Sequence, residues 1–294
     1  MTVPGSWEDE LDSHIGHGTY RLKIILPDNG EKMHGLRVEE ITNAAQIYIN
    51  GRIASDYGTP GTSHDTSDGH RGPRLAFFPV KQEEIEIIIH VSNYDLPFRG
   101  GITDSIKIGT ESAIIKEDHR SQNFQLAVFI VYLLHSVYAI VLYIMARKYY
   151  QKELLFYGLM LIVAGFTVLI DDDMVLQLPI SAEAYHRLLH ILFSTVLITL
   201  VTAIKYLFDV KPKLHSILVG LYIIIVIGIL IVPIEHFNLV HNGKNILYIL
   251  SFYLLFSLTI KFVQKGNDEG IYILFFITGY TSNMVWGALI NAGL

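Results

Sequence analysis

The sequence predicts a two-part membrane protein, an N-terminal all-β antiparallel sandwich followed by a bundle of transmembrane helices. Three observations predict it. Only 17% of the 294 residues are charged and 51% are apolar, where a typical globular chain carries roughly 25% charge. The charge is uneven: Met1 to Arg120 hold 12 Lys and Arg against 19 Asp and Glu, and the remainder holds 10 against 9. Short alternating segments in the first part also give way to long unbroken apolar runs in the second, a change from a half-buried sheet pattern to a membrane pattern.

In the first part, Thr19 to Pro27, Leu36 to Ile41, Ala45 to Gly51, Arg74 to Val80, Glu83 to Asn93 and Ser105 to Thr110 are short, rich in β-branched and aromatic residues, and bounded by turn chemistry such as "PDNGEK" and "RGG". They read as about six strands. Asn50-Gly51 is a pair that tolerates positive φ at both central positions of a tight hairpin turn. Tyr48 and Ile88, within alternating stretches, are expected to face the core. After the hairpin the pattern stops, and Asp56 to Pro73, with four glycines and two prolines, read as a long loop.

The second part has six apolar runs, at 124–146, 154–170, 188–208, 216–232, 246–263 and 271–292, each close to the ~20 residues that cross a hydrocarbon core. If the first domain lies outside, the inside loops carry Arg147, Lys148, Lys152, Lys205, Lys211, Lys213, Lys261 and Lys265, and the outside loops only Arg187 and Lys244. This bias places the N-terminal domain extracytoplasmic in a multi-pass protein of the cell membrane. The expected organisation is a ligand-binding domain at 1–112, a linker at 113–123 and a helical domain at 124–294. His135, in mid-membrane, raises a polar or proton-sensing role, and Thr278, Thr281, Ser282 and Asn283 give the sixth span a polar side suited to helix packing.

"VPGSWEDE", "TYRLKIILP", "AQIYINGR" and "EIIIHVSNYD" resemble the jelly-roll sugar-binding domain that precedes the catalytic domain of glycoside hydrolase family 2. The same residues, joined to "GGITDSIKIGT" and a run of membrane helices, are similar over essentially the whole chain to the seven-transmembrane receptors with diverse intracellular signalling modules. Those are bacterial sensors with a galactose-binding-like jelly-roll outside. The resemblance implies a signal receptor for a small-molecule ligand, with carbohydrate the ligand class, whose cytoplasmic output module is absent from this chain. It also implies a seventh helix, so the chain is expected to be an internal piece of a longer receptor, with no signal peptide in "MTVPGSW". The alternatives are a transporter or channel with an accessory exterior domain, and an anchored adhesin.

The candidate ligand-binding residues cluster on the long loop and the end of a nearby strand. Tyr57 offers an aromatic platform, Thr62 and Ser63 short hydroxyls, Arg71 and Arg74 planar donor forks, and Asn93 and Asp95 polar groups beside Tyr94. His64, Asp65, Asp68 and His70 also lie there, without a recognised metal-ligand spacing. Asp171 to Asp173 read as the polar end of a helix. There is no GxSxG, HExxH or phosphate-binding glycine loop, and the resemblance brings no catalytic carboxylates, so no enzyme, catalytic residue, cofactor or metal is expected. The acidic first domain excludes nucleic acid. Partners are then the ligand and the lipid bilayer, with a homodimer left open. The absence of cysteine removes disulfides and thiolate metal sites.

Overall fold

A computed structural model describes residues 3–7, 13–26, 32–39, 41–69, 74–80, 84–96, 100–145, 151–171, 178, 180–208 and 211–266, with only the backbone of Thr42, Asp56, Tyr57, Arg74 and Glu235. An N-terminal β-sheet region is followed by five helices long and apolar enough to cross a membrane. The strands are β1 Gly16–Ile25, β2 Lys32–Val38, β3 Ile41–Thr42, β4 Ala44–Ile49, β5 Arg52–Thr59, β6 Asp68–Gly69, β7 Arg74–Val80, β8 Glu84–Asn93, β9 Gly101–Ile102 and β10 Ile106–Thr110. They form a five-stranded sheet in the order β1-β8-β4-β5-β6, a three-stranded sheet β10-β2-β7 and the short pair β3-β9, and every pairing is antiparallel.

Both larger sheets turn one face to a single core. Ile47 and Ile49 from β4 and Ile85, Ile87, Ile89 and Val91 from β8 meet Leu36 and Val38 from β2 and Ala76 and Phe78 from β7. Burying each such side chain contributes roughly 1.5–3 kcal/mol. Tyr48 and Ile88, expected inward, lie on the opposite face, half-buried and paired across the strands with each other. The reason is the two-residue period: Ile88 shares parity with Glu84 and Glu86, and Tyr48 shares it with Gln46. Of the run Ile87-Ile88-Ile89, the charged positions of β8 therefore select Ile87 and Ile89 for the core.

The Asn50-Gly51 turn forms with positive φ at both residues, 49° and 76°. Asn50 is further tied to β8, its N–H donating to the Glu86 carbonyl and its side-chain oxygen accepting from the Glu86 N–H, each at 2.8 Å. The expected long loop from Asp56 is shortened by this hairpin. β5 runs on to Thr59, with Asp56 and Tyr57 opposite Gln46 and Ala45, because a tight turn keeps delivering ladder partners wherever a facing strand continues. A single 3-10 turn at His64–Thr66 and the two-residue β6 fill much of the remainder.

The helices are α1 Glu111–Met145, α2 Lys152–Ile170, α3 Ala182–Leu207, α4 Pro212–Ile231 and α5 Phe237–Gln264. The expected sixth span at 271–292 lies outside the described residues, and so do Thr278, Thr281, Ser282 and Asn283. Residues 113–123 are helical: α1 begins directly after β10. Its 35 residues span about 52 Å at 1.5 Å per residue, far more than a ~30 Å hydrocarbon core, so several turns must stand outside it. His135 is exposed on α1, while Ser136 beside it is buried.

Contacts divide the chain into two compact units, Met1–Leu133 with Ala164–Leu192 and Ile229–Asn238, and Leu134–Val163 with Phe193–Gly228 and Leu239–Leu294. In the first, the opening turns of α1 cover the outer face of the three-stranded sheet. Ile114 packs on Gly35, where a Cβ would come within 3.0 Å of Ile114 and 2.9 Å of Phe77. Buried Arg37 of β2 donates to Asp118 of α1 at 3.3 Å and to Glu39 at 2.8 Å, and Lys107 joins Glu39 at 2.6 Å and Glu117 at 3.1 Å. In the second unit, Leu197, Leu218, Tyr222, Leu247 and Tyr248 form a buried cluster, in which the Tyr222 and Ser251 hydroxyls lie 2.8 Å apart.

Candidate functional site

The polar groups that converge in the sheet region lie where β4 begins and β8 ends, under the chain that returns from β5. Ser92, fully buried at the end of β8, organises this corner. Its carbonyl accepts from the Asn43 N–H at 3.0 Å, and its hydroxyl accepts from the Gly61 N–H at 3.1 Å and lies 2.8 Å from the Ser67 hydroxyl. One serine therefore holds the loop at both ends of the segment 61–67. Inside that segment the Ser63 N–H donates to the Thr66 hydroxyl at 3.1 Å, and the Thr66 N–H donates back to the Ser63 carbonyl at 3.2 Å, which closes the 3-10 turn.

That turn presents His64 to Asp95. The His64 Nε2 lies 3.4 Å from an Asp95 carboxylate oxygen, and the side-chain amide of buried Asn43 donates to the other oxygen. β6 passes so close beneath that any Cβ at Gly69 would overlap the Asn43 amide. Burial pushes the Asp95 carboxyl above its ordinary range; the His64 charge opposes this, and the carboxylates of Glu183 and Asp68 add to it. Glu183 belongs to the first turn of α3, so the field of a helix end in the same compact unit reaches the corner. Chemically, the arrangement is an oriented acceptor, Asp95, beside an imidazole and two exposed hydroxyls, Thr62 and Ser63. Such a set matches a ligand that carries hydroxyls of its own.

Of the residues expected from the sequence, Asp95, Thr62 and Ser63 fall in or beside this corner. Asn93 does not line it. The Asn93 side chain is fully buried, donates to the carbonyls of His14 and Leu96 at 2.8 and 2.7 Å, and accepts from the Leu96 N–H at 3.0 Å. It closes the turn after β8 and leaves Asp95 two residues further on to face His64. Tyr57 and Arg74 are strand residues, opposite Ala45 and Val38 respectively, whose side chains, like all of Arg71, lie outside the described residues; so does His70. Among the described residues no three His, Asp or Glu side chains converge as a metal would require. Asn43, Ser67, Ser92 and Glu183 were missed. Only Asn43 carried a sequence signal, a polar residue directly before an apolar strand.

Beyond the corner, Arg187 of α3 gathers the helix ends of this unit. It pairs with Glu183 at 2.7 Å, donates to the carbonyls of Ile229 and Val232, the latter at 2.8 Å, and lies over the Phe237 ring. His186 and His190, one turn apart, meet with their Nε2 atoms 2.7 Å apart and both pack on Phe237. The sheet region also has an apolar cleft of about 540 Å³ between β1 and β10, walled by Pro4, Tyr20, Leu22, Leu36, Ile87 and Ile108 among others. It exists because β1 and β10 are the edge strands of the two sheets, so among the described residues no strand closes that side, and Leu22 remains half exposed although it has core parity.

No family model and no curated protein matches the chain. Among solved structures it is similar to a GH2 beta-galacturonidase from Eisenbergiella tayi bound to galacturonate, at 16% identity over 37% of this chain and 20% of that one, with a TM-score of 0.28. A GH2 beta-galacturonidase from Eisenbergiella tayi bound to glycerol matches at 16% identity over 37% of this chain and 19% of that one, also with a TM-score of 0.28. The chain spans about one fifth of the length of these enzymes, and a likeness at that level carries no argument about ligand or activity.

Proposed function

We propose that this chain is the sensing part of a multi-pass membrane receptor of the seven-transmembrane kind with intracellular signalling modules. Its sheet region is a galactose-binding-like jelly roll that faces the exterior and binds a small polyhydroxylated ligand, with carbohydrate the favoured class. The signal passes to a cytoplasmic module outside this chain, and the chain itself catalyses nothing. One observation carries the reading: the Asp95 carboxylate of the polar corner lies within the field of Glu183 of α3, and Glu183 is paired with Arg187, which holds the ends of α4 and α5. A ligand that takes over the Asp95 carboxylate changes the field at Glu183, and with it the grip of Arg187 on two helix ends. That is what a receptor requires and what a passive anchor does not. The helix that follows β10 without a break adds a second, covalent connection between the sheet region and the apolar helices.

The test is calorimetric titration of the purified full chain in detergent with neutral and acidic mono- and disaccharides. Binding is expected for at least one, weakened at least tenfold by Asp95→Asn and by His64→Ala, since each removes one oriented polar partner from a hydroxyl. A ligand that binds both variants with unchanged affinity places the site elsewhere. Saccharide uptake by liposomes holding the chain would instead favour a transporter.

A further inference from the structure

The opening turns of α1 sort their charges by face. Glu117 and Asp118 point to the three-stranded sheet, where Lys107 and Arg37 neutralise them. Lys116, His119 and Arg120 point the other way, are exposed, and have no ion-pair or hydrogen-bond partner among the described residues. With Ser112, Ile115 and Asn123 they line a shallow groove of about 670 Å³ on the helix surface. The spacing 112, 116, 119, 123 is that of one helix face. The same three- and four-residue steps continue along α1 through Leu126, Ile130, Leu134, Val137 and Val141, which are all apolar and all exposed, from 42% to 63%.

A single stripe of α1 therefore changes from cationic to apolar between Asn123 and Leu126. From Leu126 to Met145 the helix rises about 29 Å, the depth of a hydrocarbon core. Arg120 stands about 9 Å beyond Leu126 along the axis and Lys116 about 15 Å. The polar layer of a bilayer is about 5–7 Å thick on each side, so the long Arg120 side chain reaches its phosphates and Lys116 adds positive charge just above them, while the stripe below meets the acyl chains. Unpaired cations in that position attract anionic headgroups. We propose that Lys116, His119 and Arg120 form a headgroup site for an anionic phospholipid of the leaflet next to the sheet region. Arg120 contacts its phosphate, Lys116 attracts it from just above, His119 and Asn123 offer hydrogen bonds, and Leu126 and Ile130 line the start of its acyl chains. The site lies on the helix that is clamped to the three-stranded sheet, so a bound lipid fixes the height of that clamp above the bilayer. This inference rests on α1 crossing a membrane and is independent of what the corner around Asp95 binds.

The experiment is native mass spectrometry of the full chain released from detergent, titrated with phosphatidylglycerol or phosphatidylcholine. Phosphatidylglycerol is expected to bind more tightly than phosphatidylcholine. The double variant Lys116→Gln with Arg120→Gln should weaken phosphatidylglycerol about 30-fold, at roughly fivefold per cation, and leave phosphatidylcholine unchanged. The charge-conserving pair Lys116→Arg with Arg120→Lys should keep the binding. Inorganic phosphate at the lipid's concentration should not displace it, because it lacks the acyl chains. The proposal is overturned by equal affinity for the two lipids, by a glutamine pair that binds phosphatidylglycerol as well as the parent, by a charge-conserving pair that loses it, or by displacement with phosphate alone.

Discussion

Opposing fields meet at the Asp95 carboxylate. Burial raises its pKa, His64 pulls it down, and Glu183 and Asp68 raise it again, leaving it above the ordinary 3.8. The folded chain then binds more protons than the unfolded chain between 3.8 and the raised folded value, so this group's contribution to stability falls as pH rises through that window. Glu39 acts with the opposite sign. Burial alone would raise it, but the hydrogen bond and charge of Lys107, the charge of Arg37 and a hydrogen bond from Ser105 outweigh burial and hold it below 4.5. Its contribution is present above 4.5 and lost as pH falls through the folded value. Asp95→Asn keeps an oxygen for Asn43 and removes the titration together with the second acceptor oxygen and its charge. Relative to the parent, the variant should gain melting temperature as pH rises from about 4 to 7 in detergent; a difference constant across that range would show that Asp95 titrates alike in both states.

Among the elements, α1 is the one whose role changes most once its partners are visible. The stretch 113–123 reads as a linker from the sequence, because charge alone does not reveal that Arg37, buried on β2, pairs with an acid there. Supplied with Asp118, the stretch becomes a helix seated on a sheet. Removing one member of a buried pair strands the other, which costs on the order of 3–5 kcal/mol, whereas replacing both with apolar groups is often near neutral. Arg37→Ala should therefore destabilise the full chain severely. Asp118→Ala should do so less, because Glu39 still holds Arg37. Arg37→Met combined with Asp118→Leu should recover most of the loss. Strict additivity of the single effects in denaturation midpoints would mean that the pair is not coupled and the helix is held by Ile114 alone.

For the whole molecule, the measurable quantity is orientation. The loop charges predict that the sheet region lies outside, and contacts group Ser181 with the sheets but Gln151 with the other unit. Both residues are exposed and the chain has no cysteine. Ser181→Cys should thus react with an impermeant thiol reagent added to intact cells, and Gln151→Cys only after permeabilisation. Labelling of Gln151→Cys alone in intact cells would invert the orientation.

Local regularities were legible in the residues themselves: alternation in β4 and β8, the Asn50-Gly51 turn, and the apolar runs of α1 to α5. Each depends on neighbours close in the chain, through the pleat, the φ preferences of two residues, or the length of a bilayer. The faces of β4 and β8 are encoded in the parity of Gln46, Glu84 and Glu86, against the expectation that Tyr48 and Ile88 point inward, and it is Ile87 rather than Ile88 that is core. What only the tertiary structure decided are the relations across long separations. Ser92 pins a loop some 25 to 30 residues earlier, Arg37 selects Asp118 81 residues later, and Asp95 lies within the field of Glu183. No periodicity encodes those pairings. A polar side chain looks alike in sequence whether it faces water, closes its own turn as Asn93 does, or meets a distant partner, and the packing of the two sheets and α1 determines which of these it becomes.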